Sequence, residues 1–178
     1  MNWDQQFIDW GLEGYWLDQC RWSTLFSNVG GIEWFHDRSV LLVSNDTDLL
    51  KRMLHVAQSK VLGCRKVIGS TSISIPDCDN GQYDCVILWD AWTACVNARS
   101  SVINARVLTK HILCVEGFVD NTVSIDLVSN YCGQPILPSF PGHDQCFKKG
   151  ERAIWILEIR PSKPNKKSKI PKKIQKSA

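Results

Sequence analysis

The sequence contains no two cysteines at CxxC spacing, although eight of its 178 residues are cysteine. This absence excludes the usual ligand spacing of a structural zinc site. The first residues, Met1 to Asp4, are polar and lack the basic and apolar regions of a secretory signal peptide. Disulfide frameworks form in oxidising, extracellular compartments. We therefore expect an intracellular protein whose cysteines, such as Cys85 and Cys114, are buried free thiols.

Long apolar runs are also missing, since no stretch approaches the ~18 residues that a membrane-spanning helix needs. We therefore expect no contact with a membrane. The hydrophobic content of 44% and the charged content of 22% are those of an ordinary globular protein. With 178 residues the chain has room for one domain with a core, and too little for two. Eight tryptophans should supply much of that core.

Positive charge is concentrated at the end of the chain. The formal net charge is +3, but seven of the 21 Lys and Arg residues lie within residues 163–178. The other 14 face 18 acidic residues, so residues 1–162 carry about −4, which argues against a nucleic-acid-binding face on the folded part. Residues 162–178 should form a disordered Lys-rich tail. Three roles are open for this tail. It resembles a nuclear localisation signal, its charge suits contact with nucleic acid or acidic proteins, and the bland alternative is that it only keeps the chain soluble.

Apolar runs of strand length alternate with helical segments from residue 39 onward. This alternation is typical of a parallel sheet covered on both faces and predicts a doubly wound α/β core. The predicted strands are residues 39–44, 65–69, 83–89, 111–115, 122–128 and 153–159. The predicted helices are residues 3–17, weakened at Gly11 and Gly14, then 18–26, 49–60 and 93–110.

Six segments, taken in order, resemble the protein arginine methyltransferase family. The segments and the family motifs that they match are residues 16–21 (WLDQCR, for M-L-x-D-x-x-R), 35–41 (FHDRSVL, for F-x-D-K-x-V-L), 65–69 (RKVIG, for K-K-V-x-G), 83–87 (YDCVI, for V-D-I-I-I), the helix and glycine turn within 102–118, and pieces of a C-terminal β-barrel at 148–151 and 160–161. The resemblance covers about residues 5–161.

The resemblance implies a Rossmann-like methyltransferase sheet with a remnant of the family's C-terminal barrel. It divides the chain into an N-terminal helical segment (1–38), a degenerate α/β core (39–130), the barrel remnant (131–161) and the tail (162–178). One helix and one strand of the family are missing between residues 75 and 83, at an edge where their loss would leave the central sheet intact. The dimerisation arm is missing between residues 130 and 143. His143 lies near the family's T-H-W loop but lacks its flanking residues, so we interpret it as a loop histidine.

The family binds S-adenosylmethionine through a glycine-rich turn after the first strand, because glycine lets the backbone approach the cofactor closely. The three glycine positions match Ser44, Asp46 and Asp48, and the acidic position within that motif matches Leu42. The alternative is that Asp46 and its neighbours simply cap the next helix. In the family, an acidic residue after the second strand binds the ribose hydroxyls. The matching position here is Thr71, which can make only one hydrogen bond. These changes predict weakened cofactor binding.

Arg21 is the cofactor residue that persists, and the resemblance implies that it pairs with the methionine carboxylate. The alternative is that it is only a surface arginine. The family's two substrate-binding glutamates match Asp90 and Arg99. Arg99 would repel an incoming arginine by roughly 4 kcal/mol at about 4 Å and an effective dielectric of 20. Alternatively Asp90 and Arg99 pair with each other and fill the site.

These residues leave three functions open. The chain is a catalytically impaired pseudoenzyme that binds or regulates, an active arginine methyltransferase, or a nuclear protein that contacts nucleic acid or chromatin through its tail. A gene fragment or aberrant splice product remains a further alternative. The expected partners are arginine-rich proteins or histones if it is active, and family relatives if it is not. We expect it in the nucleus, the cytoplasm or both.

Overall fold

The computed structural model describes residues 2–73, 81–91, 98–119, 123–136 and 152–159. Their framework is a five-stranded, mostly parallel sheet in the order β2-β1-β3-β4-β5. The strands are β1 (Ser39–Val43), β2 (Lys66–Ser70), β3 (Tyr83–Trp89), β4 (Thr109–Phe118) and β5 (Arg152–Glu158). Strands β1 to β4 are parallel to one another, and β5 is antiparallel to β4. This α/β architecture is compatible with a Rossmann-like fold.

Helices cover both faces of the sheet. In the described part of the chain they are α1 (Trp3–Asp9), α2 (Trp16–Val29), α3 (Thr47–Ala57), α4 (Ala98–Leu108), α5 (Ile125–Cys132) and the 3₁₀ helix Ile32–Phe35. The first three α-helices and the 3₁₀ helix pack on one face, and α4 and α5 pack on the other. The predicted doubly covered, mainly parallel core is therefore confirmed.

The central strands are apolar throughout because both of their faces are buried. Every residue of β1 is buried, with Val40 and Leu42 in the core under α1–α3 and Leu41 and Val43 in the core under α4 and α5. Alternate side chains of a strand point to opposite faces, so two cores require apolar residues at both sets of positions. β2 is an edge strand with a largely exposed pattern.

The N-terminal helix predicted at residues 3–17 is divided in the structure, because α1 ends at Asp9 and residues 16–17 belong to α2. Gly11 and Gly14 have φ angles of +68° and +79°, a conformation that glycine adopts without steric cost, and they separate α1 from α2. The sequence predicted this weakness. Asn2 caps α1 by accepting hydrogen bonds from the backbone N–H groups of Asp4 and Gln5.

The predicted strand at residues 122–128 is wrong, because α5 begins at Ile125. The hydroxyl of Ser124 accepts a hydrogen bond from the Leu127 N–H at 3.1 Å and caps this helix. Val128 and Cys132 are both buried, four residues apart, which is the helical spacing of one face. The alternation of polar and apolar residues before Val128 had suggested a strand.

The predicted strand at residues 153–159 is confirmed as β5, and it joins the sheet beside β4. Residues 137–151 lie outside the described residues, so the barrel remnant stays a prediction, as does the interpretation of His143. The Lys-rich tail also lies outside them. No helix in the described part combines the length and apolar content needed to cross a bilayer.

All five cysteines within the described residues are free thiols: Cys20, Cys64, Cys85, Cys114 and Cys132. Burial raises the pKa of the Cys114 thiol to about 12 and that of Cys132 to about 11. These thiols are therefore protonated, poorly nucleophilic members of the core.

A carboxylate ties together the amino-terminal ends of β1 and β3. Asp84 accepts hydrogen bonds from the Ser39 backbone N–H at 2.8 Å and from its hydroxyl at 2.9 Å. The Asp84 N–H in turn donates to the Ser39 hydroxyl. Burial raises the pKa of Asp84, but the two hydrogen bonds from Ser39, together with the nearby charges of Lys110 and His111, outweigh this effect and hold the pKa below its usual value.

Replacing this carboxylate, Asp84→Asn, should lower the free energy of unfolding by about 1.5–3 kcal/mol at pH 7, because charge-assisted hydrogen bonds are lost. The pKa of Asp84 is lower in the folded state. The contribution of Asp84 to the free energy of unfolding is therefore complete above the unfolded-state pKa of ~3.9, and it disappears as the pH falls through the folded-state pKa. Urea unfolding should show a larger difference between the two proteins at pH 5–7 than below about pH 4.

The control is Asp9→Asn, which changes an exposed carboxylate on α1 and should alter stability by no more than about 0.5 kcal/mol at any pH. The account would be contradicted if the stability difference between wild type and Asp84→Asn stayed the same down to the lowest pH at which both proteins fold.

Candidate functional site

The carboxyl-terminal edge of the sheet contains a cluster of six charged side chains. Asp90 directly follows β3, and Glu116 lies near the end of β4 in register with Trp89. The Asp90 N–H donates to the Glu116 carbonyl at 2.9 Å, which extends the ladder by one bond. Because β5 runs antiparallel, its first residue, Arg152, reaches the same edge. In an open α/β sheet this edge is where ligands bind.

Arg21 of α2 is the centre of the cluster. Its Nε donates to Glu116 at 2.7 Å, its Nη1 to Asp18 at 2.8 Å and its Nη2 to Asp90 at 2.8 Å. The side chain is 2% exposed, so these carboxylates take the place of water around it. Arg21 is thus not a surface arginine, and all three of its guanidinium nitrogens are engaged.

Two further arginines complete the cluster. Arg52 of α3 donates from Nε to Asp18 at 2.6 Å and stacks over the Tyr15 ring at 4.2 Å. Arg152 of β5 donates from Nη1 to Asp90 at 2.9 Å and to Glu116 at 2.8 Å, and from Nη2 to Asp90 at 3.1 Å. Three carboxylates therefore face three guanidinium groups, and the formal charges of the cluster cancel.

Burial and mutual attraction act against each other in this cluster. Burial lowers the pKa of Arg21, but Glu116, Asp90 and Asp18 raise it more, and the pKa lies above its ordinary value. Burial raises the pKa of Glu116 above its usual range, although the Arg21 guanidinium opposes that shift. Buried charges are tolerated only when they are paired in this way.

A hydrogen bond crosses the gap between the loops after β1 and β3. The strand order reverses at β1, whose successors β2 and β3 lie on its two sides, so a ligand would bind between β1 and β3. The Asn45 side-chain amide donates to the carbonyl of Ala91 across this gap. Asp90 has a φ of +47°, a left-handed conformation that aspartate tolerates better than most residues. The Asn45 side chain therefore bridges the crevice at this point.

The residues matched to the glycine-rich turn form a helix cap. Ser44 is buried, and its hydroxyl accepts from the Asp46 N–H at 3.2 Å. Asp46 accepts from the N–H groups of Asp48 and Leu49 at 2.9 and 3.0 Å, and caps α3. The hydrogen bond from Leu49 is the main reason that the pKa of Asp46 is lowered. Asp48 is exposed and pairs with Lys51 at 3.2 Å. The capping interpretation is confirmed.

Arg99 and Thr71 lie apart from the cluster. Arg99 is exposed on α4, with its guanidinium 5.7 Å from the centre of the Tyr131 ring. Among the ion pairs of the described residues, Asp90 pairs with Arg21 and Arg152, so the alternative in which Asp90 pairs with Arg99 is not the one found. Thr71 is exposed after the edge strand β2.

Sequence reasoning missed four members of the site, which are Asp18, Arg52, Glu116 and Arg152. A signal for Glu116 was present, because a charged residue inside the apolar run HILCVEGF must find a partner when the strand is buried. Arg152 comes from a distant segment, and nothing in its local sequence points to Asp90.

Two cavities lined by described residues lie away from this cluster. One of about 210 Å³ is lined by residues including Leu41, Ile68 and Tyr83, and one of about 350 Å³ by residues including Trp34 and Ile112. Neither contains a member of the ionic cluster or of the turn after β1. Among the described residues, no group of three or more His, Cys, Asp or Glu side chains is arranged to bind a metal ion.

Comparison of the chain with protein-family profiles, with curated proteins and with solved structures finds no match.

Removing the central guanidinium, Arg21→Met, should lower the free energy of unfolding by about 3–5 kcal/mol, because three buried carboxylates then face only the guanidinium groups of Arg52 and Arg152 within the cluster. Arg21→Lys keeps the charge but cannot reach three carboxylates, so its loss should be intermediate. Urea unfolding at pH 7 measures both effects.

The matched control is Lys51→Met, which breaks the exposed pair with Asp48 and should cost less than about 1 kcal/mol. Equal losses for Arg21→Met and Lys51→Met would show that the cluster does not stabilise the fold.

Proposed function

We propose that this chain is a truncated arginine-methyltransferase-like domain that acts as a binding or regulatory module rather than as a methyltransferase. In this proposal the sheet, including β5, is a degenerate Rossmann-like methyltransferase sheet, and what remains of the barrel lies elsewhere within residues 131–161. Support comes from the six matching sequence segments and from a mainly parallel sheet with helices on both faces.

The engagement of Arg21 is the observation that carries the proposal. By resemblance Arg21 would bind the carboxylate of S-adenosylmethionine. Its three nitrogens instead donate to Asp18, Asp90 and Glu116, and the side chain is buried. A ligand carboxylate would have to enter this buried cluster, whose formal charges already cancel, and the added negative charge would have no partner, at a cost of several kcal/mol.

The turn after β1 supports the same conclusion. Glycines at this turn would let the cofactor approach the backbone. Asp46 and Asp48 add side chains there, and Asp46 is committed to capping α3. Both are acidic, so their charges would repel the carboxyl end of the cofactor. Thr71 cannot replace the carboxylate that grips the ribose hydroxyls.

We expect isothermal titration calorimetry of the full chain with S-adenosylmethionine to detect no binding with a Kd below about 1 mM. Near-ultraviolet circular dichroism of the tryptophans establishes that the protein is folded, and an active arginine methyltransferase is the positive control. A micromolar Kd would overturn the proposal and favour an active enzyme.

A second candidate function rests on the charge of the tail, since seven lysines lie within residues 163–178 and the rest of the chain is mildly acidic. Such a segment would bind nucleic acid or chromatin electrostatically, with affinity that falls steeply as salt rises. Fluorescence anisotropy with labelled DNA should then show binding by the full chain and none after deletion of residues 162–178. Equal binding by both proteins would eliminate this function.

A further inference from the structure

Positive side chains gather at the amino-terminal edge of the sheet, opposite the Arg21 cluster. Arg65 directly precedes β2 and Lys66 is its first residue, while Lys110 is the second residue of β4. Because β1 to β4 are parallel, the starts of all four strands lie at this edge. Residues 1–162 carry about −4 as a whole, so these cations are a local exception to the charge of the folded part.

The buried carboxylate of Asp84 anchors these cations but does not neutralise them. Arg65 Nη2 lies 3.7 Å and Lys110 Nζ 3.9 Å from the Asp84 carboxylate, and both distances are longer than a hydrogen bond. The same carboxylate accepts two hydrogen bonds from Ser39, at 2.8 and 2.9 Å. One negative charge is therefore shared by Arg65 and Lys110, and an excess of positive charge remains at the edge.

The charged ends of these side chains are in contact with water. The side chains of Arg65 and Lys110 are 61% and 59% exposed. Lys66 is also exposed, with its ammonium 5.8 Å from the centre of the Tyr83 ring. Long side chains of this kind keep their apolar stems on the protein surface and their charged ends in solvent. An anionic ligand would therefore meet three cations at one edge without displacing a buried group.

The chain leaves the sheet at the same edge. β5 is antiparallel to β4, and the Ile159 N–H just beyond it donates to the His111 carbonyl at 2.7 Å. The first lysine of the tail, Lys163, follows Ile159 by four residues, which span at most about 14 Å. The lysine-rich segment is therefore attached beside Arg65, Lys66 and Lys110.

We propose that Arg65, Lys66 and Lys110, which we call the basic edge, bind the phosphate backbone of a nucleic acid together with the lysines of residues 163–178. The inference rests on the second candidate function and deepens it, since it adds a face of the folded part to the site. The two sets of cations act on one molecule, so each raises the effective concentration for the other.

The arrangement favours a nucleic acid over an acidic protein. A nucleic acid carries negative charges at regular, short intervals, so one molecule can meet both the cations fixed on the sheet and those of the tail. An acidic protein would need carboxylates placed to match each set. Contacts to phosphates carry no sequence information directly, so the basic edge should add affinity without base preference.

The test compares two double variants of the full chain that remove the same charge. Arg65→Gln with Lys110→Gln changes the basic edge. Lys51→Gln with Arg99→Gln changes two exposed cations near the starts of α3 and α4, away from this edge. Fluorescence anisotropy with a short labelled DNA duplex measures the Kd of each protein between about 50 and 200 mM salt. Near-ultraviolet circular dichroism establishes that both variants are folded.

The edge variant should lose both affinity and salt dependence. Each lost phosphate contact lowers the slope of log K against log salt by about 0.9, so two lost contacts should lower it by about 1.8. The affinity at about 100 mM salt should fall roughly tenfold or more, whereas the matched variant should bind within about twofold of wild type. Three cations alone bind too weakly to detect, so deletion of residues 162–178 should still abolish binding.

A single change keeps the test decisive if the edge double variant does not fold. Lys66→Gln leaves the contacts of Asp84 intact and should lower the slope by about 0.9. Wild-type slope and affinity in the edge variants, or equal losses in the edge and matched variants, would overturn the inference. Tighter binding of a poly-glutamate than of the duplex at equal charge would overturn nucleic acid as the partner. The second candidate function fails separately, if the unaltered full chain binds no DNA, and the inference then fails with it.

Discussion

The ionic contacts of Arg21 hold together three parts of the fold that are distant in sequence. Its guanidinium joins α2, the end of β3 and the end of β4 through Asp18, Asp90 and Glu116. Arg152 adds β5 to the same cluster. Because these groups are buried, none can lose its partner without a large desolvation cost. The cluster therefore fixes the carboxyl-terminal edge of the sheet and fills the place where an α/β protein usually binds its ligand.

Much of the fold follows from the local sequence. The continuous apolar runs of β1 and β3 predicted strands buried on both faces, and the alternation with helices predicted a parallel sheet. The positive φ angles at Gly11 and Gly14 agree with the predicted break in the first helix. The error at residues 122–128 arose because a polar–apolar alternation also fits a short helix whose buried residues are four apart, and the Ser124 cap decides between them.

The candidate site was only partly predictable. Asp46 was placed correctly as a helix cap, because capping depends on local sequence. Arg21 and Asp90 were identified by resemblance, but their partners were not, since Glu116 is 95 residues from Arg21 and Arg152 is 62 residues from Asp90. Ion pairs between distant segments depend on the packing of the whole sheet, and no periodicity or spacing encodes them.

The most direct test of this account is hydrogen exchange at the Arg21 guanidinium, measured by nuclear magnetic resonance. The Arg21 Nε–H resonance is identified by its absence from the spectrum of Arg21→Lys. A hydrogen bond of 2.7 Å to buried Glu116 predicts exchange with water on the order of 100-fold slower than at exposed Arg99. Exchange at Arg21 as fast as at Arg99 would contradict the account, since the guanidinium would then be open to water and to a ligand carboxylate.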